Sequence, residues 1–131
     1  MFRLDSGIPA ATEALVSRVI GYAITVHREL GPGFLESVYH RALCLELGLA
    51  GLEFESEKSV PISYRGRHVA VHRLDLVVGG RVIVEAKSVE RLDQAHLAQV
   101  LSYLKATGLR VGLLFNFRAP VLRQGMRRVV L

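Results

Sequence analysis

The stretch Arg73-Leu74-Asp75-Leu76-Val77-Val78-Gly79-Gly80-Arg81-Val82-Ile83-Val84-Glu85-Ala86-Lys87 decides how this chain is read. Two apolar, β-branched runs flank a Gly-Gly pair, the mark of an antiparallel hairpin. Successive side chains of a strand point to opposite faces, so Glu85 and Lys87 share one face while Val84 and Ala86 share the other. If Asp75 lies on the face of Glu85, two carboxylates and an ammonium gather at one spot. Such a grouping suits a divalent cation, which takes hard oxygen ligands, and a phosphodiester, which needs positive charge beside the attacked phosphorus.

Parity decides whether the acids meet. A two-residue Gly79-Gly80 turn pairs Asp75 with Val84 and puts Asp75 and Glu85 on opposite faces. A three-residue loop, Val78-Gly79-Gly80 with Gly80 left-handed, pairs Asp75 with Ile83 and returns Asp75 to the face of Glu85. A catalytic centre requires the longer loop. A hairpin whose charges simply face solvent explains the pattern at least as well, because an acid ten positions before Glu-x-Lys arises readily by chance.

Downstream, residues 92–106 have helical spacing and end at Thr107-Gly108. Leu92, His96, Gln99 and Tyr103 fall on one stripe of this third helix, beside an apolar stripe of Leu97, Leu101 and Leu104. The strand bearing Glu85 and Lys87 feeds the helix directly, so Gln99 could orient a water or touch a phosphate. A polar edge in which His96 and Gln99 bond to nearby backbone or solvent is the plainer alternative. Residues 111–115 read as a buried central strand, and 121–131 as an edge strand or short helix.

Upstream, residues 12–30 are helical, with apolar Leu15, Val19, Tyr22, Ala23 and Val26, and Gly31-Pro32-Gly33 stops the helix. A second helix runs from Phe34 or Leu35 to Leu47, with Gly48 as its stop. Glu36 sits in its first turn, where the helix dipole favours a carboxylate. Structural duty accounts for Glu36; a functional carboxylate would point toward Asp75 instead. Tyr39 shares that face, as core or as support. Residues 53–56 and 59–64 read as strands, with a turn at Arg65-Gly66.

At 131 residues and half hydrophobic, the chain suits one domain, residues 1–131, that buries its own core. The single cysteine, Cys44, rules out an internal disulfide and reads as a small buried hydrophobe. No run is long enough for a membrane span, and the N-terminal segment lacks the pattern of a signal peptide, so the expected location is cytoplasmic. The net charge of +5 leans toward a polyanionic partner, with basic residues at Arg118, Arg123, Arg127 and Arg128 and at Arg65, Arg67, His68, His72 and Arg73. Histidines at 27, 40, 68, 72 and 96 lack zinc-ligand spacing, and no Gly-rich loop ends in Lys-Ser or Lys-Thr.

Four strings carry a resemblance. Gly33-Phe34-Leu35-Glu36-Ser37-Val38-Tyr39 resembles the signature of the GxxExxY proteins, and Arg73-Leu74-Asp75-Leu76, Val84-Glu85-Ala86-Lys87 and the run from His96 to Leu104 are similar to theirs, over about residues 19–130. That family is assigned to the PD-(D/E)XK nuclease superfamily. Leu74 stands where the superfamily name has proline, a frequent departure that removes no ligand.

The resemblance implies an α/β fold: a three-layer α/β/α, restriction-endonuclease-like core whose mixed sheet is flanked by helices. It implies a nuclease centre in which Asp75, Glu85 and the Ala86 backbone carbonyl hold Mg²⁺ or Mn²⁺, with Glu36 adding a direct or water-mediated contact. Lys87 would position the attacking water and offset charge on the phosphorane, and Gln99 would assist. Neighbouring carboxylates oppose the depressed pKa that a basic Lys87 would need, so its expected work is electrostatic. Substrate contacts are expected from Arg73, His96 and Tyr103. The expected substrate is DNA, with RNA as the other choice, and a homodimer through the apolar second helix would reach two strands. The alternative is a catalytically silent module that binds nucleic acid, a nucleotide or a protein.

Overall fold

The computed structural model describes residues 7–131, so the expectation that no signal peptide leads the chain lies outside the described residues. Helix α1 (Ala10–Leu30) buries Val16, Val19, Ala23 and Val26, one side of a 3.6-residue repeat. Gly31 ends it in the left-handed region, its N–H donating to the His27 carbonyl. Helix α2 (Glu36–Leu49) buries Tyr39, Leu43 and Leu47 at the same spacing. Five strands follow: β1 (Phe54–Tyr64), β2 (Arg67–Val78), β3 (Val82–Lys87), β4 (Val111–Asn116) and β5 (Met126–Val130), with α3 (Gln94–Thr107) between β3 and β4.

The strands make one sheet in chain order. All neighbours are antiparallel except β3 and β4, which are parallel because α3 carries the chain back across the sheet. On one face α1 and α2 bury Leu76, Val78, Val82, Val84 and Ala86. On the other, Tyr103 and Leu104 of α3 pack on Val77 and Ile83. The fold is therefore the expected three-layer α/β/α arrangement around a mixed sheet.

The chain departs from its sequence reading at instructive places. The hairpin loop has the three residues that parity demanded, but they are Gly79-Gly80-Arg81, because the register pairs Val78 with Val82 and Val77 with Ile83. Asp75 thus comes opposite Glu85 rather than Ile83. Gly79 fixes the offset: its φ is 59°, and a Cβ there would lie 2.9 Å from Leu15 Cδ2. Helix α2 runs through Gly48 and stops at Gly51, where Leu52 N–H donates to the Leu47 carbonyl and Gly51 N–H to that of Gly48, a Schellman closure. The strands expected at 53–56 and 59–64 are one strand. In α3, which begins after Leu92, Val100, Tyr103 and Leu104 are the buried positions, while Leu97 and Leu101 are only half-buried. The tail forms both a short 3-10 turn (Leu122–Gly125) and the edge strand β5.

One irregularity locates the site. Leu74 packs with Val60, Val77 and Ile83 on the α3 side, yet Leu76 packs on the α1–α2 side, so β2 changes face at Asp75. Across from it in β1, Glu57 takes φ 53°, a left-handed kink that lets the two strands roll over together.

The α3 layer sits unusually close to β4. A Cβ built on Gly112 would lie 2.6 Å from Val100 Cγ1. We expect Gly112→Ala to overpack this contact and cost about 1–3 kcal/mol in urea unfolding, and Gly112→Ala combined with Val100→Ala to cost less than the sum of the two single changes. Strict additivity would mean that the helix is not held at this point.

Candidate active site

The ladder between β2 and β3 stops at the Leu76–Val84 pair, and carboxylates take over where the next rungs would be. Asp75 N–H donates to Glu85 Oε1 at 3.1 Å, and Ala86 N–H donates to Asp75 Oδ2 at 2.9 Å. Each acid thus reaches across to the strand of the other, and the two converge. In an extended strand the N–H and C=O of one residue point to the same edge, so the Ala86 carbonyl also faces the Asp75 side. The two carboxyl groups also lie within hydrogen-bond reach of each other.

Glu85 is buried, with 3% of its surface exposed. Burial, and next the charge of Asp75, push its carboxyl up to about 8. Tyr103, on the buried face of α3, is pushed up as well, by burial and then by Glu85 and Asp75, which keeps it a phenol inside the field of both acids. Lys87 points the same way as Glu85 along β3, and its Nζ donates to Gln99 Oε1 at 3.3 Å. The α3 stripe therefore does lean over the strand, through Gln99. His96 is engaged locally: its Nδ1 accepts from Asp93 N–H at 3.0 Å while its own N–H donates to Asp93 Oδ1, a reciprocal cap that starts α3. Arg73 is exposed on β2, two residues before Asp75.

The entry to α2 is fastened to the end of β3. Tyr39 is fully buried, stacks on Phe117 at 4.5 Å, donates its hydroxyl hydrogen to the Gly31 carbonyl and accepts from Phe34 N–H at 3.0 Å. It is core and support at once. With the loop so held, Ser88 Oγ donates to the Phe34 carbonyl at 3.1 Å and Ser88 N–H donates to Glu36 Oε1 at 3.2 Å. Glu36 thus stands beside the residue after Lys87. On the opposite side, Asn116 brackets Val89: its Oδ1 accepts from Val89 N–H at 3.1 Å and its Nδ2 donates to the Val89 carbonyl at 2.9 Å. Ser88 and Asn116 escaped the sequence reading. Asn116 carried one signal, a polar residue closing a strand that is otherwise wholly apolar.

Among the described residues no group of three or more His, Cys, Asp or Glu side chains could hold a metal ion, so Glu36 does not complete a cage with Asp75 and Glu85. Two carboxylates and a carbonyl remain. That donor set fits a hard divalent cation of the magnesium kind, which is ordinarily held by one or two carboxylates and keeps several waters. The elevated Glu85 fits too, since a cation between the acids would relieve the repulsion that now favours a proton.

A family model described as the PD-(D/E)XK nuclease superfamily matches residues 13–129. The chain belongs to the PD-(D/E)XK nuclease superfamily. No curated protein and no solved structure gives a significant match. Asp75 and Glu85-Ala86-Lys87 spell the D and the EXK of the superfamily name. Nucleases of this superfamily generally depend on a divalent metal, and membership implies nucleic-acid binding. No helix of the described residues is long and apolar enough to cross a membrane.

A pH dependence follows from the acid pair. Folded Glu85 titrates near 8 and an unfolded glutamate near 4.5, so the folded state holds the extra proton between these values. The stability this proton contributes is full below about 4.5 and is lost as pH rises toward about 8. In chelator, the Tm of the protein should fall across this window and that of Glu85→Gln should fall less; parallel curves would mean that Glu85 titrates normally.

Proposed function

We propose that this protein is a nuclease of the GxxExxY group, hydrolysing phosphodiester bonds of DNA with Mg²⁺ or Mn²⁺. The observation that carries the reading is the convergence of Asp75 and Glu85 at the end of the β2–β3 ladder, with Lys87 two residues on and tethered to Gln99.

Asp75, Glu85 and the Ala86 carbonyl would hold the cation, with Glu36 contributing through a water. Such an ion acts as a Lewis acid and lowers the pKa of a water it binds by several units. The Lys87 ammonium orients the attacking water and offsets charge building on the phosphorus oxygens. Gln99 holds the ammonium in place. Tyr103 offers a phenol rather than a phenolate, and Arg73 and the free edge of the His96 ring contribute substrate contacts.

A silent binding module explains this arrangement poorly. Burying Glu85 beside a second acid costs stability at neutral pH, and the two backbone donors that the acids satisfy could be paired by uncharged carbonyls without that cost. Residues 1–131 act as a single domain in the cytoplasm. A second copy would supply the second strand's cleavage, with exposed Leu35, Leu45 and Leu49 around α2 as the contact.

Asp75→Asn retains an acceptor for Ala86 N–H and should keep the fold, yet it should lose Mn²⁺ binding in calorimetry and Mg²⁺-dependent DNA cleavage. Lys87→Ala should bind Mn²⁺ and cleave on the order of 10²–10³-fold more slowly, the usual loss for one preorganised charge-stabilising donor. Cleavage at the wild-type rate by either folded variant would exclude this centre.

A further inference from the structure

Beyond the kink at Glu57 and Asp75, β1 and β2 run on as a two-stranded ribbon that no third strand joins. Its root is anchored: Val60 and Leu74 are buried with Tyr103 and Leu104, and the His72 ring meets the Tyr103 ring edge-on at 5.9 Å. Its tip is free. Residues 63–69 are all exposed, and a cleft of about 570 Å³ separates Ile62 and Ser63 from Ser102 and Lys105 of α3. The tip closes with the two-residue turn Arg65-Gly66, both residues at positive φ, a tight reversal that keeps the ribbon narrow.

The charge on this ribbon is one-sided. Residues 58–74 contain no Asp or Glu; Lys58 at the root is paired with Glu55 at 2.7 Å, while Arg65, Arg67 and Arg73 carry positive charge and His68 and His72 can add to it. Arg65 and Arg67 stand at the extreme end. A solubility device would not need the acids removed over so long a stretch of a chain that carries twelve of them elsewhere.

We infer that the ribbon is a second nucleic-acid contact that enters the major groove of duplex DNA, next to a scissile phosphate at the acid pair. The inference rests on the proposed nuclease reading and narrows its substrate to double-stranded DNA. A two-stranded β-ribbon fits the B-form major groove, about 12 Å wide, whereas the deep, narrow major groove of A-form RNA admits no such element. A single strand is also poorly served. Single-strand binders stack successive bases on several aromatic rings, but the ribbon tip exposes two, Tyr64 and His68, and the Arg65 guanidinium already covers the first at 5.7 Å. The eight steps from Asp75 to Arg67 span about 27 Å of strand, less than one helical turn of B-DNA at about 34 Å, so one duplex could touch both places.

The test measures binding of the full chain in chelator, by fluorescence anisotropy, to a 24-base-pair DNA duplex, its single strand and the same duplex as RNA. Wild-type protein should prefer the DNA duplex. The double variant Arg65→Ala/Arg67→Ala, both exposed and free to change without unfolding, should bind that duplex about tenfold or more weaker, and the slope of log K against log salt should shrink by about two. Arg18→Ala/Arg81→Ala removes equal charge beside the Gly79 loop, at the other end of β3 from the acid pair, and should stay within about twofold of wild type, a difference under ~0.4 kcal/mol. Equal wild-type affinity for single strand or RNA, an unchanged Arg65/Arg67 variant, or an equal loss in the control would overturn the inference. Cleavage by the wild type in Mn²⁺, run in parallel, keeps the two readings apart: cleavage without a duplex preference sinks the ribbon alone, and ribbon-dependent duplex binding without cleavage sinks the nuclease reading alone.

Discussion

Everything at the site depends on two backbone donors that the sheet does not use. Where the β2–β3 ladder ends, Asp75 N–H and Ala86 N–H would need carbonyl partners; they receive carboxylate oxygens instead. A buried N–H left unpaired costs on the order of 1–3 kcal/mol, so these bonds are obligatory for the fold. They also force two acids into contact. The same exchange that satisfies the backbone therefore buries Glu85 and sets it against a second acid, the two causes that lift its carboxyl, and the fold and its chemistry are one arrangement.

The surroundings keep that arrangement in place. Tyr39 pins the Gly31–Phe34 segment, Ser88 ties it to the end of β3, and Asn116 brackets the backbone at Val89. From α3, close packing at Gly112 brings the helix down onto the sheet, which sets Gln99 within reach of Lys87. Three elements that are far apart in the chain thus converge on one short turn after β3.

Much of this was legible beforehand because it follows from periodicity. The three helices come from the spacing of apolar residues and the layer order from the family resemblance, whereas the parity of the hairpin stays open between two loop lengths until the register is seen. What escaped depended on contacts across long sequence separations or on local competition between glycines. The loop offset turned on Gly79 against Leu15. The end of α2 turned on Gly51, because a mid-helix Gly48 costs only about 1 kcal/mol and its neighbours absorb it. Tyr103 read as part of a polar stripe but belongs to the core, since a phenol can bury its ring and still present its hydroxyl end toward the acids. Ser88 and Asn116 act through partners dozens of residues away, which no local window can see.

The outer strands have a consequence of their own. At one border β1 carries Pro61, which has no amide hydrogen to offer, and Lys58; at the other, β5 places Arg127 and Arg128 along its length. Unpaired borders of this kind resist the addition of another strand, because a newcomer would meet a missing donor on one side and crowded cations on the other. Fibrous stacking of folded copies is disfavoured at both rims, so a chain that is half hydrophobic can be crowded without its sheets growing into one another.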